Sequence, residues 1–155
     1  MSQPQTPLLA LAPAVLCLAT SCATLEESGR AAAAPEAQMA IETVIRDAYI
    51  DGVFVSRDAA LVREGFAPIF VFNSYWNGSL SSRTLEEWLG KLKLDGKPRE
   101  RTIEAEIEVL EVTGTVAVAR VEIFLDGSLT YTDYLGLYET DGGWKIVTKT
   151  FYGHP

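Results

Sequence analysis

The chain has 155 residues, which is enough for one globular domain and leaves little for a second. Hydrophobic residues make up 48% of the chain and charged residues 22%, as in ordinary globular proteins, so the composition excludes a wholly disordered or fibrous chain. The 21 acidic and 13 basic residues give a net charge of −8. A surface this acidic repels phosphate backbones and anionic lipid headgroups. We therefore expect no binding to nucleic acid and no binding to membranes through a polybasic surface.

An uncharged apolar segment lies near the N-terminus. Residues 8–22 read LLALAPAVLCLATSC, and the first charged side chain of the protein is Glu26. The segment is shorter than the roughly 20 residues that a membrane-spanning helix needs. Its length is typical of the hydrophobic region of a secretory signal peptide, although neither Lys nor Arg precedes it.

The two cysteines of the chain, Cys17 and Cys22, both lie in this segment, so a disulfide cannot hold the rest of the chain together. Cys22 follows small residues at positions 19–21 and resembles the lipidated cysteine of bacterial lipoprotein signals. Three interpretations stay open: a lipid on Cys22, cleavage by an ordinary signal peptidase after residues 21–23, and an N-terminus without an export function.

Residues 24–35 read TLEESGRAAAAP and contain no large apolar side chain after Leu25, which is typical of a short tether. All aromatic residues lie between Tyr49 and Tyr152. We therefore predict a signal peptide over residues 1–22, a tether over 23–35 and a folded domain over 36–155. The expected location is the periplasm or the cell surface, with membrane attachment only through a lipid on Cys22. A secreted soluble domain is the alternative.

Two helices are predicted at the start of the domain. The first begins at Pro35, which suits a first helical turn, and its apolar residues recur at three- and four-residue steps from Ile41 to Val53. Asp58 is a good N-cap for a second, shorter helix that ends near Phe66, because a proline follows.

A strand and a hairpin turn separate the second helix from a third. Residues 69–75 (IFVFNSY) predict a short strand, and the following Asn77-Gly78 is typical of tight hairpin turns. Residues 84–87 (TLEE) form a capping box that begins the third helix. The apolar side of this helix carries Leu85, Trp88, Leu89 and Leu92.

The rest of the chain alternates with a period of two and predicts four antiparallel strands joined by hairpins. Turn signals stand at residues 113–115 (TGT), 126–127 (DG) and 141–143 (DGG). A three-residue first loop would pair Ile107 with Val121, whereas a two-residue loop would set Glu108 against Val121. We predict the first register, because a slip by one residue exchanges the two faces of a strand.

This order of helices and strands predicts an α+β domain with three helices packed on one curved, mainly antiparallel sheet. The following stretches carry a family resemblance: residues 41–58 (IETVIRDAYIDGVFVSRD), 114–121 (GTVAVARV), 131–137 (YTDYLGL) and 141–151 (DGGWKIVTKTF). In these stretches the chain resembles the nuclear transport factor 2-like superfamily and, within it, the bacterial putative lumazine-binding group. The resemblance implies a cone-shaped α+β barrel with an internal pocket, and a homodimer formed through the outer face of the sheet.

Most standard catalytic and metal chemistries lack their residues. The only histidine is His154 and no cysteine follows Cys22, so Ser-His, Cys-His and tetrahedral zinc arrangements are not expected. Alternate glutamates are either oxygen ligands for calcium or, more simply, the solvated face of a strand. These are Glu100, Glu104, Glu106, Glu108 and Glu111. We therefore expect no metal and no cofactor.

The superfamily includes enzymes that resemble ketosteroid isomerase, and the resemblance implies roles for three positions. Tyr49 matches the tyrosine of these enzymes, and Asp133 matches their aspartic acid; together these two groups hold an enolate oxygen. The position of the base falls near Ser74, and serine has no useful basicity. A two-residue loop at 126–127 would place Arg120 opposite Asp133, where it would keep the carboxylate charged. An enzyme would then need another base, for which the candidates are Glu106, Glu108 and Glu122.

Aromatic residues from several predicted elements are expected to converge on one apolar pocket with a few polar groups. The predicted pocket residues are Tyr49, Phe72, Ser74, Trp76, Trp88, Arg120, Tyr131 and Asp133. Ordinary core packing and a dimer interface are the alternatives for the aromatic ones. The sequence favours an exported domain that binds a small apolar or aromatic molecule without turnover. A ketosteroid-isomerase-like or dehydratase-like enzyme on a small hydrophobic substrate, and a structural or interaction domain, are the other hypotheses.

Overall fold

The computed structural model describes residues 34–155; the predicted signal peptide with its two cysteines, and all of the predicted tether except its last two residues, lie outside the described residues. The first helix, α1, spans Pro35–Val44 and continues as a π-helical segment over Ile45–Val55. Two more helices follow, α2 (Ala59–Gly65) and α3 (Leu85–Leu92). The strands are β1 (Phe66–Trp76), β2 (Ser79–Thr84), β3 (Ile103–Thr113), β4 (Val116–Leu125), β5 (Ser128–Thr140) and β6 (Gly143–Gly153).

The predicted helix starts are confirmed. Pro35 lies in the first turn of α1, where a missing backbone N–H costs nothing. The Asp58 side chain accepts a hydrogen bond of 2.7 Å from the backbone N–H of Ala60 at the start of α2. Thr84 and Glu87 form the reciprocal capping box of α3. No helix within residues 34–155 has both the length and the apolar character that crossing a membrane requires.

The second half of the first helix is wound more widely than the sequence predicts. At its end the backbone N–H of Ser56 bonds to the carbonyl of Asp51, five residues earlier. Such π-helical turns are rare and occur frequently at functional sites. This one carries Tyr49, which is 1% exposed, into the interior of the domain.

Close packing of α2 against the first helix depends on Gly65. A Cβ atom at this position would lie 2.1 Å from the Cβ of Ala48 and 2.9 Å from Cγ2 of Val44. Because glycine has no such atom, the end of α2 rests directly on the helix that carries Tyr49. This contact helps to set the position of Tyr49 over the sheet.

All six strands belong to one sheet, in the order β2-β1-β6-β5-β4-β3. Neighbouring strands are antiparallel except β1 and β6, which run parallel. The predicted four-strand meander is β3 to β6, and the helices pack against one face of the sheet around a common apolar core. The predicted α+β architecture is confirmed.

A β-bulge sets the register of the first hairpin in the meander. The loop between β3 and β4 has two residues, since Thr113 pairs with Val116, and the predicted three-residue loop is wrong. An extra residue in β3, Leu110, then shifts the register by one, so that Ile107 pairs with Val121 after all. The predicted pairing is confirmed, although the bulge produces it rather than the loop.

A second bulge overturns the predicted pairing of Arg120 with Asp133. Leu125 pairs with Ser128 across the expected two-residue loop, but an extra residue, Thr130, lies between the partners of Phe124 and Ile123. Beyond this bulge Asp133 pairs with Val121, and Arg120 pairs with Tyr134. A one-residue shift moves a side chain to the opposite face of the sheet. Arg120 and Asp133 therefore lie on opposite faces.

The outer face of the sheet holds the charged residues of β3 and β4. Arg120 Nη2 lies 2.8 Å from Glu108 Oε2 on the neighbouring strand. Glu122 pairs with Glu106 in the same register and alternates with the buried Val121. The three glutamates proposed as alternative bases thus lie on the outer face, away from the core. Their assignment as bases is wrong because they alternate along β3 and β4 with the inward-facing Ile107 and Val121.

Candidate functional site

A cavity of about 250 Å³ lies between the helices and the inner face of the sheet. The π-helical segment, β1, α3, β5 and β6 all contribute side chains to it. Its aromatic lining consists of Tyr49, Phe54, Phe72, Trp88, Tyr131 and Phe151. Ligand pockets usually measure about 300–1,000 Å³, so this cavity suits a small occupant of one or two rings.

The aromatic lining forms a continuous wall. Phe72 stacks between Trp88 and Phe151, with ring centroids 5.7 Å and 5.5 Å away. Tyr131 meets Phe151 edge-on at 6.1 Å, and Phe54 lies 6.4 Å from Tyr131. Flat, polarised ring surfaces of this kind favour an aromatic or planar apolar ligand.

A buried carboxylate and a buried amine lie at the base of this wall. Asp133 is fully buried and Lys149 is 4% exposed. Lys149 Nζ lies 2.5 Å from Oδ1 of Asp133, and the Tyr49 hydroxyl donates a hydrogen bond to Oδ2 of the same carboxylate. Asp133 is therefore paired by Lys149 and Tyr49, and not by Arg120 as predicted.

Lys149 and Tyr49 both line the cavity, and Lys149 is the charged member of the group that reaches it. Its Nζ atom lies 4.9 Å from the ring centroid of Phe151, 5.2 Å from that of Tyr49 and 5.6 Å from that of Phe72. Such contacts stabilise a cation on aromatic faces. Within residues 34–155, Asp133 is the only hydrogen-bonding or charged partner of Nζ. Since an ammonium has three N–H donors, the others are available to an occupant of the cavity.

Burial changes the acidity of two of the three groups. Burial lowers the pKa of the Lys149 amine, and the charge and hydrogen bond of Asp133 act in the opposite direction. Burial raises the pKa of Tyr49 well above its ordinary value, and the charge and hydrogen bond of Asp133 raise it further. Tyr49 is therefore a protonated donor at neutral pH.

The cavity brings together half of the predicted pocket residues. Tyr49, Phe72, Trp88 and Tyr131 line it, and Asp133 lies behind Tyr49 and Lys149.

The other three predicted pocket residues lie elsewhere. Trp76 is 67% exposed at the β1–β2 turn. The Ser74 hydroxyl lies 2.8 Å from that of Ser81 on the edge strand β2, and Arg120 is on the outer face. Their assignment to the pocket is corrected.

The sequence interpretation missed Lys149 because a third bulge precedes it. Trp144 and Ile146 are buried, and strict alternation would continue to Thr148 on the inner face. The register shifts between β5 and β6 at this point, with Val147 as the extra residue, so that Lys149 and Phe151 face inward instead. The available signal was a lysine two residues before a phenylalanine, on a strand whose other inward residues are apolar.

A second cation, Arg99, lines the same cavity from the loop before β3. It is exposed and has no ion pair within residues 34–155. No carboxylate of the described residues lines the cavity. Within the same residues there is no group of three or more His, Cys, Asp or Glu placed to hold a metal ion.

Replacing Tyr49 with phenylalanine is expected to lower the free energy of unfolding by about 1.5–3 kcal/mol, the range for a hydrogen bond to a charged group. The raised pKa of Tyr49 stabilises the fold below pH ~10, and this contribution is lost as the pH rises further. Urea unfolding should therefore show that the difference in the free energy of unfolding between wild type and variant becomes smaller in alkaline solution. A difference that does not change with pH would contradict the role given to the Tyr49 hydroxyl. So would an equal loss of stability in Tyr152→Phe, because Tyr152 is exposed.

The comparisons with known proteins agree with this fold. A family model described as putative lumazine-binding matches residues 36–152. The chain is 32% identical over 94 residues to the aldolase FrzH of Cladobotryum sp., a match that covers 60% of this chain and 74% of the aldolase.

Solved structures of low sequence identity have the same fold. An NTF2-like protein of unknown function from Shewanella baltica is 21% identical, with a TM-score of 0.64 over 77% of this chain and 95% of that protein. Another NTF2-like protein of unknown function, from Silicibacter pomeroyi, is 19% identical, with a TM-score of 0.65 over 77% of this chain and 97% of that protein. The chain therefore belongs to the putative lumazine-binding family and has the nuclear transport factor 2-like fold.

Proposed function

We propose that this domain binds a small ring-containing molecule through an oxygen atom that accepts hydrogen bonds. The observation that carries the proposal is Lys149, whose Nζ atom lies at the base of an aromatic cavity with N–H donors not used by the protein. Aromatic rings hold the apolar part of the ligand, and the amine selects its oxygen. Apolar pockets with a few placed polar groups are the usual form of a small-molecule site.

The charges around the cavity favour a negatively charged or electron-rich oxygen. Lys149 and Arg99 both line the cavity, in a protein whose net charge is −8. Asp133 is already paired with Lys149, so it repels an anionic ligand less than an unpaired carboxylate would. A carboxylate, phenolate, enolate or carbonyl oxygen fits these requirements better than an amine.

Calorimetric titration with benzoate and with benzylamine tests this preference. We expect benzoate to bind at least about tenfold more tightly, a difference of about 1.4 kcal/mol. Arg99→Ala should weaken benzoate binding without loss of folding, because Arg99 is exposed; Lys97→Ala, also exposed, is the matched control. Equal affinities for the two probes, or equal effects of the two variants, would refute the proposal.

A second candidate is an enzyme that forms or uses an enolate. It is favoured by the similarity to an aldolase and by a buried Lys149, Asp133 and Tyr49 beside the cavity. Lys149 would stabilise the enolate oxygen, as preorganised donors do in such reactions. The three glutamates considered as bases do not line the cavity, and neither does Ser74, near which the resemblance places the position of the base. Exchange of the methyl protons of acetophenone in heavy water, followed by NMR, distinguishes this enzyme from a domain that only binds.

The proposal includes a homodimer formed through the outer face of the sheet. The homodimer is supported by a group of apolar side chains on this face that are 39–60% exposed. They are Val116, Val118, Tyr134, Tyr138 and Tyr152. Contiguous exposed apolar surface is typical of an interaction site. An interaction domain whose working surface is this face is the third hypothesis.

The proposal also includes export and a lipid anchor on Cys22, with the tether over residues 23–35 leading to the domain. The apolar residues 8–22 and the small residues before Cys22 support it. Native mass spectrometry of protein purified from its source membrane should report a diacylglyceryl mass on Cys22 and a dimer. Protein with an intact N-terminus and no lipid would contradict the anchor, and a monomer at all concentrations would contradict the dimer.

A further inference from the structure

We propose that Lys149 captures aldehydes and ketones covalently, as an imine, at the base of the aromatic cavity. The inference rests on the binding function proposed above and names its ligand class. It is carried by three observations at one place: an amine that lines the cavity, a carboxylate oxygen 2.5 Å from that amine, and a tyrosine hydroxyl that holds the other carboxylate oxygen.

A lysine attacks a carbonyl carbon only as the neutral amine, so it must first lose a proton. Asp133 Oδ1 is in contact with Nζ and is the acceptor for that proton. Burial lowers the pKa of Lys149 against the opposing effect of the Asp133 charge, so the neutral amine forms more readily than in a solvent-exposed lysine. The cavity therefore contains a nucleophile and the group that activates it.

The reaction balances without any further reactant. Asp133 takes one proton from the ammonium, and the nitrogen lone pair forms a bond to the carbonyl carbon while the carbonyl π electrons move to oxygen. A second proton passes from nitrogen to that oxygen, which gives a carbinolamine. Asp133 then returns its proton to the hydroxyl group, and water leaves with the electron pair of the C–O bond as the C=N bond forms.

The product retains the charge arrangement of the free site. One carbonyl compound and the Lys149 ammonium give one protonated imine and one water, so the positive charge remains beside the Asp133 carboxylate. Tyr49 keeps its hydrogen bond to Oδ2 throughout. The aromatic wall selects carbonyl compounds with a small ring or an apolar substituent, because the volume is only about 250 Å³.

The other lysines of the domain lack this setting. None of them lines the cavity. Lys91, Lys93 and Lys97 are exposed, and Lys145 donates to the backbone carbonyl of Glu64. Labelling at Lys149 can therefore be separated from labelling of ordinary surface amines.

Reductive trapping with benzaldehyde tests the proposal. The protein is incubated at neutral pH with benzaldehyde and sodium cyanoborohydride, which reduces an imine to a stable benzylamine, and the adduct is located by peptide mass spectrometry. We expect one benzyl group on Lys149, added at least about tenfold faster than on any other lysine. Benzyl alcohol, which matches benzaldehyde in size but forms no imine, is expected to compete for the cavity, so it should slow labelling at Lys149 and leave the surface lysines unchanged.

Three variants separate the chemistry from the fold. Lys149→Arg keeps a cation beside Asp133 and should abolish the cavity adduct, while its circular dichroism stays that of wild type. Asp133→Asn removes the group that returns a proton to the carbinolamine hydroxyl, and should slow trapping at Lys149 even though loss of the Asp133 charge lowers the pKa of the amine. Lys91→Met removes an exposed amine and should leave labelling of Lys149 unchanged.

The result that would overturn the inference is labelling spread evenly over the lysines, or a Lys149 label that benzyl alcohol does not slow. Failure of the binding function is recognised separately, by calorimetry with benzoate. Benzoate binding without a trapped adduct at Lys149 refutes imine formation and leaves the binding function standing. Absence of both refutes both.

Discussion

Replacing Lys149 with methionine is expected to lower the free energy of unfolding by about 3–5 kcal/mol, measured by urea unfolding at neutral pH. The reason is the charge that the substitution leaves behind. Asp133 is fully buried, and without Lys149 its carboxylate keeps only the hydrogen bond from Tyr49. A buried charge without its partner costs far more than the pair itself contributes.

A double variant identifies the cause of this loss. Asp133→Asn combined with Lys149→Met removes both charges and keeps an oxygen that accepts the Tyr49 hydrogen bond. We expect it to recover most of the stability that the single variant loses. Lys145→Met on the same strand, which removes a hydrogen bond to a neutral carbonyl, should cost only about 0.5–1.5 kcal/mol. A double variant as unstable as the single one would show that Lys149 acts through packing and not through its charge.

Replacing Trp88 with alanine is also expected to cost about 3–5 kcal/mol, the range for large aromatic truncations in a core. Trp88 is 6% exposed, and its ring lies 5.4–6.2 Å from the rings of Phe66, Phe70, Phe72 and Tyr49. Removal of the indole opens space that these neighbours only partly fill. Urea unfolding measures the cost.

The same substitution should change which ligand the cavity accepts. Because Trp88 lines the cavity, its removal enlarges it, and the ratio of 2-naphthoate to benzoate affinity should rise relative to wild type. Trp76→Ala is the matched control, because Trp76 is 67% exposed. We expect this variant to change the free energy of unfolding by no more than about 0.5 kcal/mol and to leave the affinity ratio unchanged. An unchanged ratio in Trp88→Ala would mean that benzoate does not bind in this cavity.

The candidate site was predictable only in part. Tyr49 and Asp133 were matched through a family resemblance, and the structure brings them into contact across a long separation in sequence. Their partner Lys149 was not predictable from local signals, because an isolated lysine on a strand is ordinarily solvent-exposed. The predicted partner Arg120 instead pairs with Glu108 on the other face of the sheet.

By itself the sequence determined the elements and their order. The cap at Asp58, the capping box at Thr84 and the turn at Asn77-Gly78 are local hydrogen-bonding and backbone preferences, so they could be recognised without the fold. The period-two pattern likewise identified the meander. These features need only residues that are close together in the chain.

Only the tertiary structure decided which charged side chain meets Asp133. Two bulges, at Thr130 in the strand of Asp133 and at Val147 in the strand of Lys149, each shift a strand by one residue and exchange its faces. A bulge forms where neighbouring strands must bend around the core, so its position depends on packing between distant segments and leaves no strong local signal. The charge pairing at the base of the cavity followed from those shifts, and with it the chemistry that this domain can support.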